Sequence, residues 1–250
     1  MRTVYFDGQY LKAGTRIIEA FTPGFFKAKG VFETMLGLDG VVLDASLHLE
    51  RLLSGLKALG IKPPPLNALL LKEVLRRNRL STARVRAMVW QAGREVHVMA
   101  VALPYEAPER KNYRVCLFRT GRRADDRLAG VKSLDYGLFA KAFALARAKG
   151  FDEALLLNRR GHIFEAGRAN IFWIKDRVLY TPPLSSGCLS GITRRQVIDS
   201  TRRLKVPVQE RDLTPQILKA ADAAFLTNSL IGIKPIEIPS IGAAAIKKID

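Results

Sequence analysis

The stretch from Gly161 to Thr193 constrains the fold of this chain more than any other segment. Two strand-like runs, Glu153 to Leu157 and Ile171 to Ile174, flank a turn that contains glycine and carries Glu165. A lone carboxylate between two such runs needs a partner, because an unpaired charge is costly to bury. The pattern therefore predicts a β-rich region in which Glu165 has a chemical role.

The end of the same stretch predicts an anion site. Ser190-Gly191-Ile192-Thr193 opens a predicted helix from Thr193 to Leu204. The first N–H groups of a helix have no partner inside the helix, so they can hold an anion such as phosphate. A carboxylate, a phosphate site and a lysine upstream together suggest a site for pyridoxal 5'-phosphate (PLP).

Composition places the chain among globular proteins. With 250 residues, 48% of them apolar, it can bury a large core. No apolar run is long enough to cross a bilayer, and the N-terminal residues MRTVYFDG lack the apolar stretch of a signal peptide. We therefore expect a cytoplasmic protein. Cys116 and Cys188 are too few and too far apart for a zinc motif, so we predict no metal site.

The net charge of +18 and the isoelectric point near 10.3 would suit a nucleic-acid-binding protein. The basic residues are nevertheless spread along the chain in short groups, such as Arg76-Arg77, Arg122-Arg123 and Arg202-Arg203. No long basic tail and no RNA-binding motif with interleaved aromatic residues accompanies them. The favoured interpretation is a set of solvated basic helix faces, and attraction of anionic substrates is a weaker alternative.

The pattern of apolar and turn residues predicts two domains. The first, residues 1–106, is a small α+β domain that begins with a hairpin around Asp7-Gly8. Residues 107–112 form a polar linker, and residues 113–250 form the second domain. In the first domain we predict helices at 46–59, capped by Ser46, and 66–78, and strands at 30–36, 84–91 and 95–103. In the second we predict a strand at 113–119, a helix at 133–149, a helix at 215–220 and strands at 206–209 and 223–227.

Six motifs in the chain resemble those of one enzyme family, the class IV aminotransferases, which are fold-type IV PLP enzymes. This group includes branched-chain and D-amino acid aminotransferases and 4-amino-4-deoxychorismate lyase. The motifs follow the family's order and spacing and cover nearly the whole chain: Gly30-Val-Phe-Glu-Thr-Met35, His48-Leu-Glu-Arg-Leu52, Ala129-Gly-Val-Lys-Ser-Leu-Asp-Tyr136, Glu165 with Asn170-Ile-Phe172, Leu189-Ser-Gly-Ile-Thr193 and Phe225-Leu-Thr-Asn-Ser229. The resemblance implies an α+β fold with a small α/β sandwich domain, a larger β-rich, barrel-like domain, and a homodimer.

The resemblance also implies a role for each matching residue. Lys132 matches the lysine that binds the PLP aldehyde covalently and moves a proton during catalysis. Without the resemblance, this lysine would be read as an exposed residue at a helix start. Glu165 matches the carboxylate beside the pyridine nitrogen, and Arg51 matches the arginine that clamps the phosphate. The remaining residues expected to hold the cofactor are Tyr136 at the ring hydroxyl, Asn170 near Glu165, and Gly191, Ile192, Thr193 and Ser229 at the phosphate.

The chain departs from the family pattern before Gly30, where Lys27 stands at a position that is often a tyrosine facing the substrate. Lys27, Lys29 and Arg86 would make the substrate side cationic, which suits a substrate with two carboxylates. An ordinary structural arginine is an equal alternative for Arg86. The leading hypothesis is therefore 4-amino-4-deoxychorismate lyase. The alternatives are an aminotransferase of branched-chain or D-amino acids and, more remotely, a nucleic-acid-binding protein on a degenerate version of the fold.

Overall fold

A computed structural model describes residues 2–15, 29–121, 126, 128–238 and 245–246. The chain divides into two compact units. Unit 1 comprises Met1–Ala107 and Val131–Asp135, and unit 2 comprises Pro108–Gly130 and Tyr136–Asp250. Both strands and helices occur in each unit, which gives the α+β class that the resemblance implies.

In its described residues, unit 1 has a six-stranded sheet and two helices. The elements are β1 (Thr3–Phe6), β2 (Gln9–Lys12), β3 (Lys29–Leu38), β4 (Val41–Val42), α1 (Ala45–Leu59), α2 (Ala68–Asn78), β5 (Thr82–Ala92) and β6 (Glu95–Pro104). The strand order is β2-β1-β6-β5-β3-β4. The observed elements match the predicted elements to within a few residues at each end, and the hairpin at Asp7-Gly8 is confirmed.

The core of unit 1 lies between its sheet and its two helices. Alternate residues of β3, such as Val31 and Met35, point to the same side as the helices and are buried. Leu52 and Leu56 of α1 and Leu71 of α2 are buried in the same cluster. One side of β3 therefore faces the core. Burial of each such side chain stabilises the unit by roughly 1.5–3 kcal/mol.

The prediction that Ser46 caps the first helix is wrong. Helix α1 begins one residue earlier, at Ala45, and its N-cap residue is Asp44. Asp44 has a positive φ of 53° and makes no side-chain capping bond, so the turn between β4 and α1 sets the helix start instead. Gly60 ends α1 as expected, with a φ of 68°.

The segment Val131–Asp135 belongs to unit 1, whereas the sequence places it in the second domain. It runs in extended form beside β3: the Phe32 N–H donates to the Lys132 carbonyl at 3.0 Å, and the Leu134 N–H donates to the Gly30 carbonyl at 2.9 Å. The predicted helix start at Ser133 is therefore wrong. These backbone groups bond to β3, so helix α3 begins only at Gly137.

The part of unit 2 that the structure describes contains a nine-stranded sheet and three helices. Its elements are β7 (Tyr113–Arg119), α3 (Gly137–Ala148), β8 (Glu153–Leu157), β9 (Ile163–Ala166), β10 (Asn170–Lys175), β11 (Val178–Thr181), α4 (Ile192–Arg203), β12 (Val208–Glu210), α5 (Pro215–Lys219), β13 (Ala223–Asn228), β14 (Gly232–Glu237) and β15 (Ala245–Ile246). Strands β7 and β8 have the predicted bounds, and β14 is an element that the sequence patterns did not predict.

The sheet of unit 2 curls back on itself. Its strand order is β12-β11-β10-β13-β14-β7-β8-β9, with β15 paired to β7. Strand β9 stands at one end of this order, yet the Ala166 N–H donates to the Ala169 carbonyl at 2.7 Å, just before β10. Strand β9, at the end of the strand order, therefore lies next to β10, which stands within that order. The sheet is thus curled, which agrees with the barrel-like domain that the resemblance implies.

Glu165 lies on strand β9 and not in a turn, so that part of the sequence prediction is wrong. Every residue of β9 is buried, and Ile163 also pairs with Leu213. The glycine that suggested a turn, Gly167, follows the strand instead. In the described residues, no helix is long and apolar enough to cross a membrane.

Candidate functional site

Lys132 lies beside an aromatic ring that it shares with Arg86. The Lys132 Nζ atom lies 4.6 Å from the centroid of the Phe32 ring. The guanidinium carbon of Arg86 also lies 4.6 Å from that centroid. Both distances fall within the range in which a cation is attracted to an aromatic ring. The Lys132 Nζ atom and the Arg86 guanidinium carbon are therefore separated by at most twice 4.6 Å.

Phe32 is the fixed point of this arrangement. Its side chain is buried, and its backbone N–H is bonded to the Lys132 carbonyl. Gly30, two residues earlier, has no room for a side chain, because an added Cβ would lie 2.6 Å from the Val89 carbonyl oxygen. The strand and the Lys132 segment are thus held closely together. Two cations at one rigid ring concentrate positive charge, which favours an anionic ligand there.

Arg51 is held by a carboxylate, Glu33, that the sequence analysis did not assign. Arg51 Nε donates to Glu33 Oε1 at 2.7 Å, and Arg51 Nη2 donates to Oε2 at 2.7 Å. His48 Nδ1 also lies 2.7 Å from Glu33 Oε2. Glu33 is only 1% exposed. The predicted phosphate-binding arginine is therefore part of a cluster of three side chains, the buried Glu33 and His48 and the partly exposed Arg51, which we call the Glu33 cluster.

The Glu33 cluster keeps its carboxylate ionised. Burial alone would raise the pKa of Glu33, but the hydrogen bonds from Arg51 and His48 outweigh it and lower that pKa to about 2. An ionised carboxylate only accepts hydrogen bonds, so the proton in the contact with His48 resides on Nδ1. A signal for Glu33 was present in the sequence: it stands between the apolar residues Val31 and Met35 on the inward side of a strand.

Glu165 is the corresponding buried carboxylate in unit 2. It is 6% exposed, and its Oε2 atom accepts a hydrogen bond from the Leu189 backbone N–H at 3.0 Å. Leu189 lies in the loop that leads to helix α4. The carboxylate is thus tied to the segment that carries the predicted phosphate site.

Asn170 holds the same loop from its other side. Asn170 Nδ2 donates to the Leu189 carbonyl at 2.8 Å, so Leu189 is bonded through both its N–H and its C=O. Gly191 lies so close to Asn170 that an added Cβ would be 2.0 Å from Asn170 Oδ1. In this structure Asn170 therefore orders the loop before α4, and Gly191 is the residue that this close approach requires.

Helix α4 begins after a glycine N-cap. It begins at Ile192, and its N-cap residue is Gly191, which has no side chain to cap it. No acidic residue lies in its first turn. Ile192 is buried and Thr193 is half-buried. The first backbone N–H groups and the positive end of the helix dipole suit an anion, as the sequence predicts.

Tyr136 and Ser229 lie at the ends of elements of unit 2. Tyr136 is the N-cap residue of α3, and its hydroxyl donates a hydrogen bond to the Gly167 carbonyl. Its ring stacks on Phe139 at a centroid distance of 5.1 Å. The Tyr136 oxygen can therefore meet a further polar group as an acceptor. Ser229 is half-buried in the turn between β13 and β14.

The three predicted substrate residues have different positions. Arg86 lies on β5 at the Phe32 ring, as described above. Lys29 is the exposed first residue of β3 and pairs with Gln91 of β5. Lys27 lies outside the described residues.

Comparisons with known proteins agree on one family. Residues 30–238 match the family described as amino-transferase class IV. A Methanocaldococcus jannaschii protein that carries the name of a branched-chain-amino-acid aminotransferase is 30% identical, over 93% of this chain and 86% of that protein. The aminodeoxychorismate lyase of Bacillus subtilis is 28% identical, over 93% of this chain and 85% of that enzyme.

The fold has solved counterparts. The branched-chain aminotransferase of Thermoproteus uzoniensis, crystallised with norvaline, superposes with a TM-score of 0.85. It is 28% identical in sequence, and the match covers 94% of this chain and 86% of that one. The curated names thus include both an aminotransferase and a lyase.

Proposed function

Since the chain belongs to the class IV aminotransferase family and is a PLP-dependent enzyme, we propose that it is a 4-amino-4-deoxychorismate lyase. This reaction releases pyruvate and forms 4-aminobenzoate, a precursor in folate synthesis. One observation carries the proposal: the Arg86 guanidinium shares the Phe32 ring with the Lys132 amine. A second cation near the reacting amine suits a substrate with two carboxylates better than an apolar amino acid.

The residues of the two units fit PLP. Lys132 supplies an amine for the cofactor aldehyde, and the start of α4 supplies N–H groups for its phosphate. Gly191 permits the close contact with Asn170 that orders this helix start. Glu165 is a buried carboxylate that suits a protonated pyridine nitrogen. When bound, PLP supplies a conjugated ring that accepts electron density from the substrate carbon next to the amine.

The proposed roles follow from these positions. Lys132 would hold the cofactor aldehyde, and its amine would remove the proton from the substrate carbon that carries the amino group. Glu165 holds the proton on the pyridine nitrogen, and Arg86 orients a substrate carboxylate. The bond from the neighbouring ring carbon to the enolpyruvyl oxygen then breaks, and the oxygen keeps the electron pair. The ring becomes aromatic, and the released enolpyruvate takes up a proton to become pyruvate.

The residues proposed for the phosphate are those that match the family's phosphate ligands. Ile192 and Thr193 provide backbone N–H groups and a hydroxyl, while Arg51 provides charge. Ser229 adds a hydroxyl, and Tyr136 accepts a hydrogen bond from the ring hydroxyl of the cofactor. Asn170 and Gly191 act through the loop that they order.

The test of the lyase uses the protein loaded with PLP and aminodeoxychorismate generated enzymatically. The formation of 4-aminobenzoate is followed by its fluorescence. Arg86→Gln should lower kcat/KM by about tenfold or more, because a charged hydrogen bond to a carboxylate is lost. Arg84→Gln is the matched control, since Arg84 is an exposed arginine two residues away on the same strand. Equal effects of the two substitutions would contradict the role of Arg86.

An aminotransferase is the second candidate, because relatives in this family carry that name. It would give no 4-aminobenzoate. The absorbance of the bound cofactor would instead bleach on addition of a branched-chain or D-amino acid and return on addition of a 2-oxo acid. That outcome would replace the lyase proposal. Arg86 would then bind a carboxylate of a substrate other than aminodeoxychorismate.

We also propose that the enzyme is a homodimer, as the resemblance to its family implies. Light scattering on the purified protein would then give twice the 27.8 kDa mass of one chain. A mass of one chain at micromolar concentration would contradict this proposal.

A further inference from the structure

Glu33 is a buried charge whose presence in unit 1 calls for a physical reason. It lies on the core-facing side of β3, between Val31 and Met35, and is 1% exposed. An apolar residue at this position would bury without the desolvation penalty that a carboxylate carries. A charge retained at such a place is therefore a candidate for a functional role, and its contacts indicate which one.

The contacts of Glu33 engage one particular edge of the Arg51 guanidinium. The two oxygen atoms of Glu33 accept from Arg51 Nε and Nη2, both at 2.7 Å. A guanidinium carries five N–H groups in one plane. Glu33 uses one N–H on Nε and one on Nη2, which form the side edge of the group. The end edge, made by Nη1 and the second N–H of Nη2, is not engaged by Glu33.

His48 completes the arrangement on the other side of the carboxylate. Its Nδ1 atom lies 2.7 Å from Glu33 Oε2, the same oxygen that accepts from Arg51 Nη2. His48 and Arg51 stand three residues apart on α1, so they face the sheet from neighbouring positions on the helix. His48 is itself 1% exposed. The carboxylate is thus fixed from two sides, and it fixes the arginine in turn.

We propose that Glu33 is a positioning residue for phosphate binding: it holds the side edge of Arg51 so that the end edge meets the phosphate of the cofactor. This inference rests on the proposed function, in which Arg51 binds that phosphate. Without Glu33, the long arginine side chain would sample several orientations, and part of its contribution to phosphate affinity would be lost.

The experiment separates phosphate binding from general stability. The dissociation constants of PLP and of pyridoxal, which lacks the phosphate, are measured by titration of the apoprotein. We call the ratio of the pyridoxal constant to the PLP constant the phosphate advantage. Glu33→Gln should lower the phosphate advantage by about tenfold, while pyridoxal binding stays within about twofold of the wild-type value.

Glu153→Gln is the matched control. Glu153 is also a buried carboxylate, 2% exposed, and it also binds an arginine, through Arg168 Nε at 3.1 Å. Loss of a buried charge pair is common to both substitutions, but only Glu33 contacts Arg51. The control should therefore leave the phosphate advantage unchanged. An equal fall in both variants would show that any buried pair has this effect and would overturn the proposal.

Arg51→Ala supplies the second comparison. It should lower the phosphate advantage at least as far as Glu33→Gln does, and adding Glu33→Gln to it should cause no further fall. Independent, additive losses would overturn the proposal, because Glu33 would then act by a route other than Arg51.

If Glu33→Gln does not fold, Glu33→Asp keeps the charge but shortens the side chain, and the same fall in the phosphate advantage is expected. An unchanged ratio in that variant would overturn the proposal. If the wild-type protein forms no covalent adduct with PLP, the proposed function fails. If it forms the adduct but the folded Glu33 variants keep the wild-type phosphate advantage, only the positioning role fails.

Discussion

The two units present their candidate site groups in different ways. In unit 1 the groups are cationic side chains: Lys132 and Arg86 at the Phe32 ring, and Arg51 on Glu33. In unit 2 the predicted phosphate site consists mainly of backbone N–H groups at the start of α4, ordered through Leu189 by Asn170 and Glu165. A side-chain site is sensitive to truncation, whereas a backbone site is sensitive to any atom that displaces the main chain.

This difference follows from the local structure. The relevant residues of unit 1 lie on β3 and β5 or beside them, where side chains alternate between the core and the opposite side of the sheet. Those of unit 2 lie at the start of a helix, where unpaired N–H groups are available whatever the side chains are. Removal of side-chain atoms should therefore weaken the site groups of unit 1 more than those of unit 2. Addition of atoms next to the main chain should have the opposite order of effects.

The largest effect is expected from truncation in unit 1. Lys132→Ala should abolish the adduct that borohydride traps between PLP and the protein, and should lower activity by about a thousandfold or more. Peptide mass spectrometry after reduction measures the adduct. Lys141→Ala, at an exposed position of α3, is the control and should retain it. An adduct found at another lysine of the Lys132 variant would contradict the assignment.

The next effect comes from adding an atom in unit 2. Gly191→Ala would place a Cβ 2.0 Å from Asn170 Oδ1, so the loop before α4 must shift. We expect the free energy of unfolding to fall by about 1–3 kcal/mol, and PLP affinity to fall with it. Denaturant titration gives the first quantity and absorbance titration the second.

Gly137→Ala is the control for that substitution. An added Cβ at Gly137 meets nothing within 4 Å, and the residue lies in helix α3, where alanine is favourable. Its stability should be unchanged or slightly higher. If Gly191→Ala is equally harmless, the α4 loop is more adaptable than its close contacts indicate, and the contrast between the units weakens.

Two buried carboxylates give opposite dependences of stability on pH. The pKa of Glu33 is lowered to about 2, so its contribution is present above the unfolded-state pKa and is lost as the pH falls toward 2. The pKa of Glu153 is raised, chiefly by burial and only partly offset by Arg168, so its contribution is present at low pH and is lost as the pH rises.

The apoproteins test this contrast by denaturant titration across pH. Relative to wild type, Glu33→Gln should cost on the order of 3 kcal/mol at neutral pH, and less below about pH 4. Glu153→Gln should instead be best tolerated at neutral pH, and its cost should grow as the pH falls. Parallel curves for the two variants would contradict the assignment of the two shifts.

The smallest effect is expected for a side chain at the backbone site. Thr193→Ala removes a half-buried hydroxyl but leaves the N–H groups of α4 in place. PLP affinity should therefore fall by only about two- to fivefold. A loss as large as that of Arg51→Ala would mean that the phosphate site of unit 2 also depends on side chains.

Much of the fold could be predicted from the sequence because local signals agreed with it. The Asp7-Gly8 hairpin, the leucine-rich helix that ends at Gly60 and the apolar run of β8 are all local patterns. Other features depend on distant partners. Residues 133–135 resemble a helix start, but hydrogen bonds to Gly30 and Phe32 hold this part of the chain beside β3 instead. Glu165 resembles a turn residue, but it lies on a buried strand.

The candidate site divides in the same way. The sequence by itself determined the types of residue and their order, because motif spacing records which lysine, carboxylate and helix start belong together. Only the tertiary structure decided how they contact one another. That Glu33 holds one edge of Arg51, and that Leu189 bonds to both Glu165 and Asn170, depends on distances of 2.7–3.0 Å between residues far apart in sequence. Hydrogen bonds have strength only within such narrow geometry, and side-chain packing, which no local pattern records, sets it.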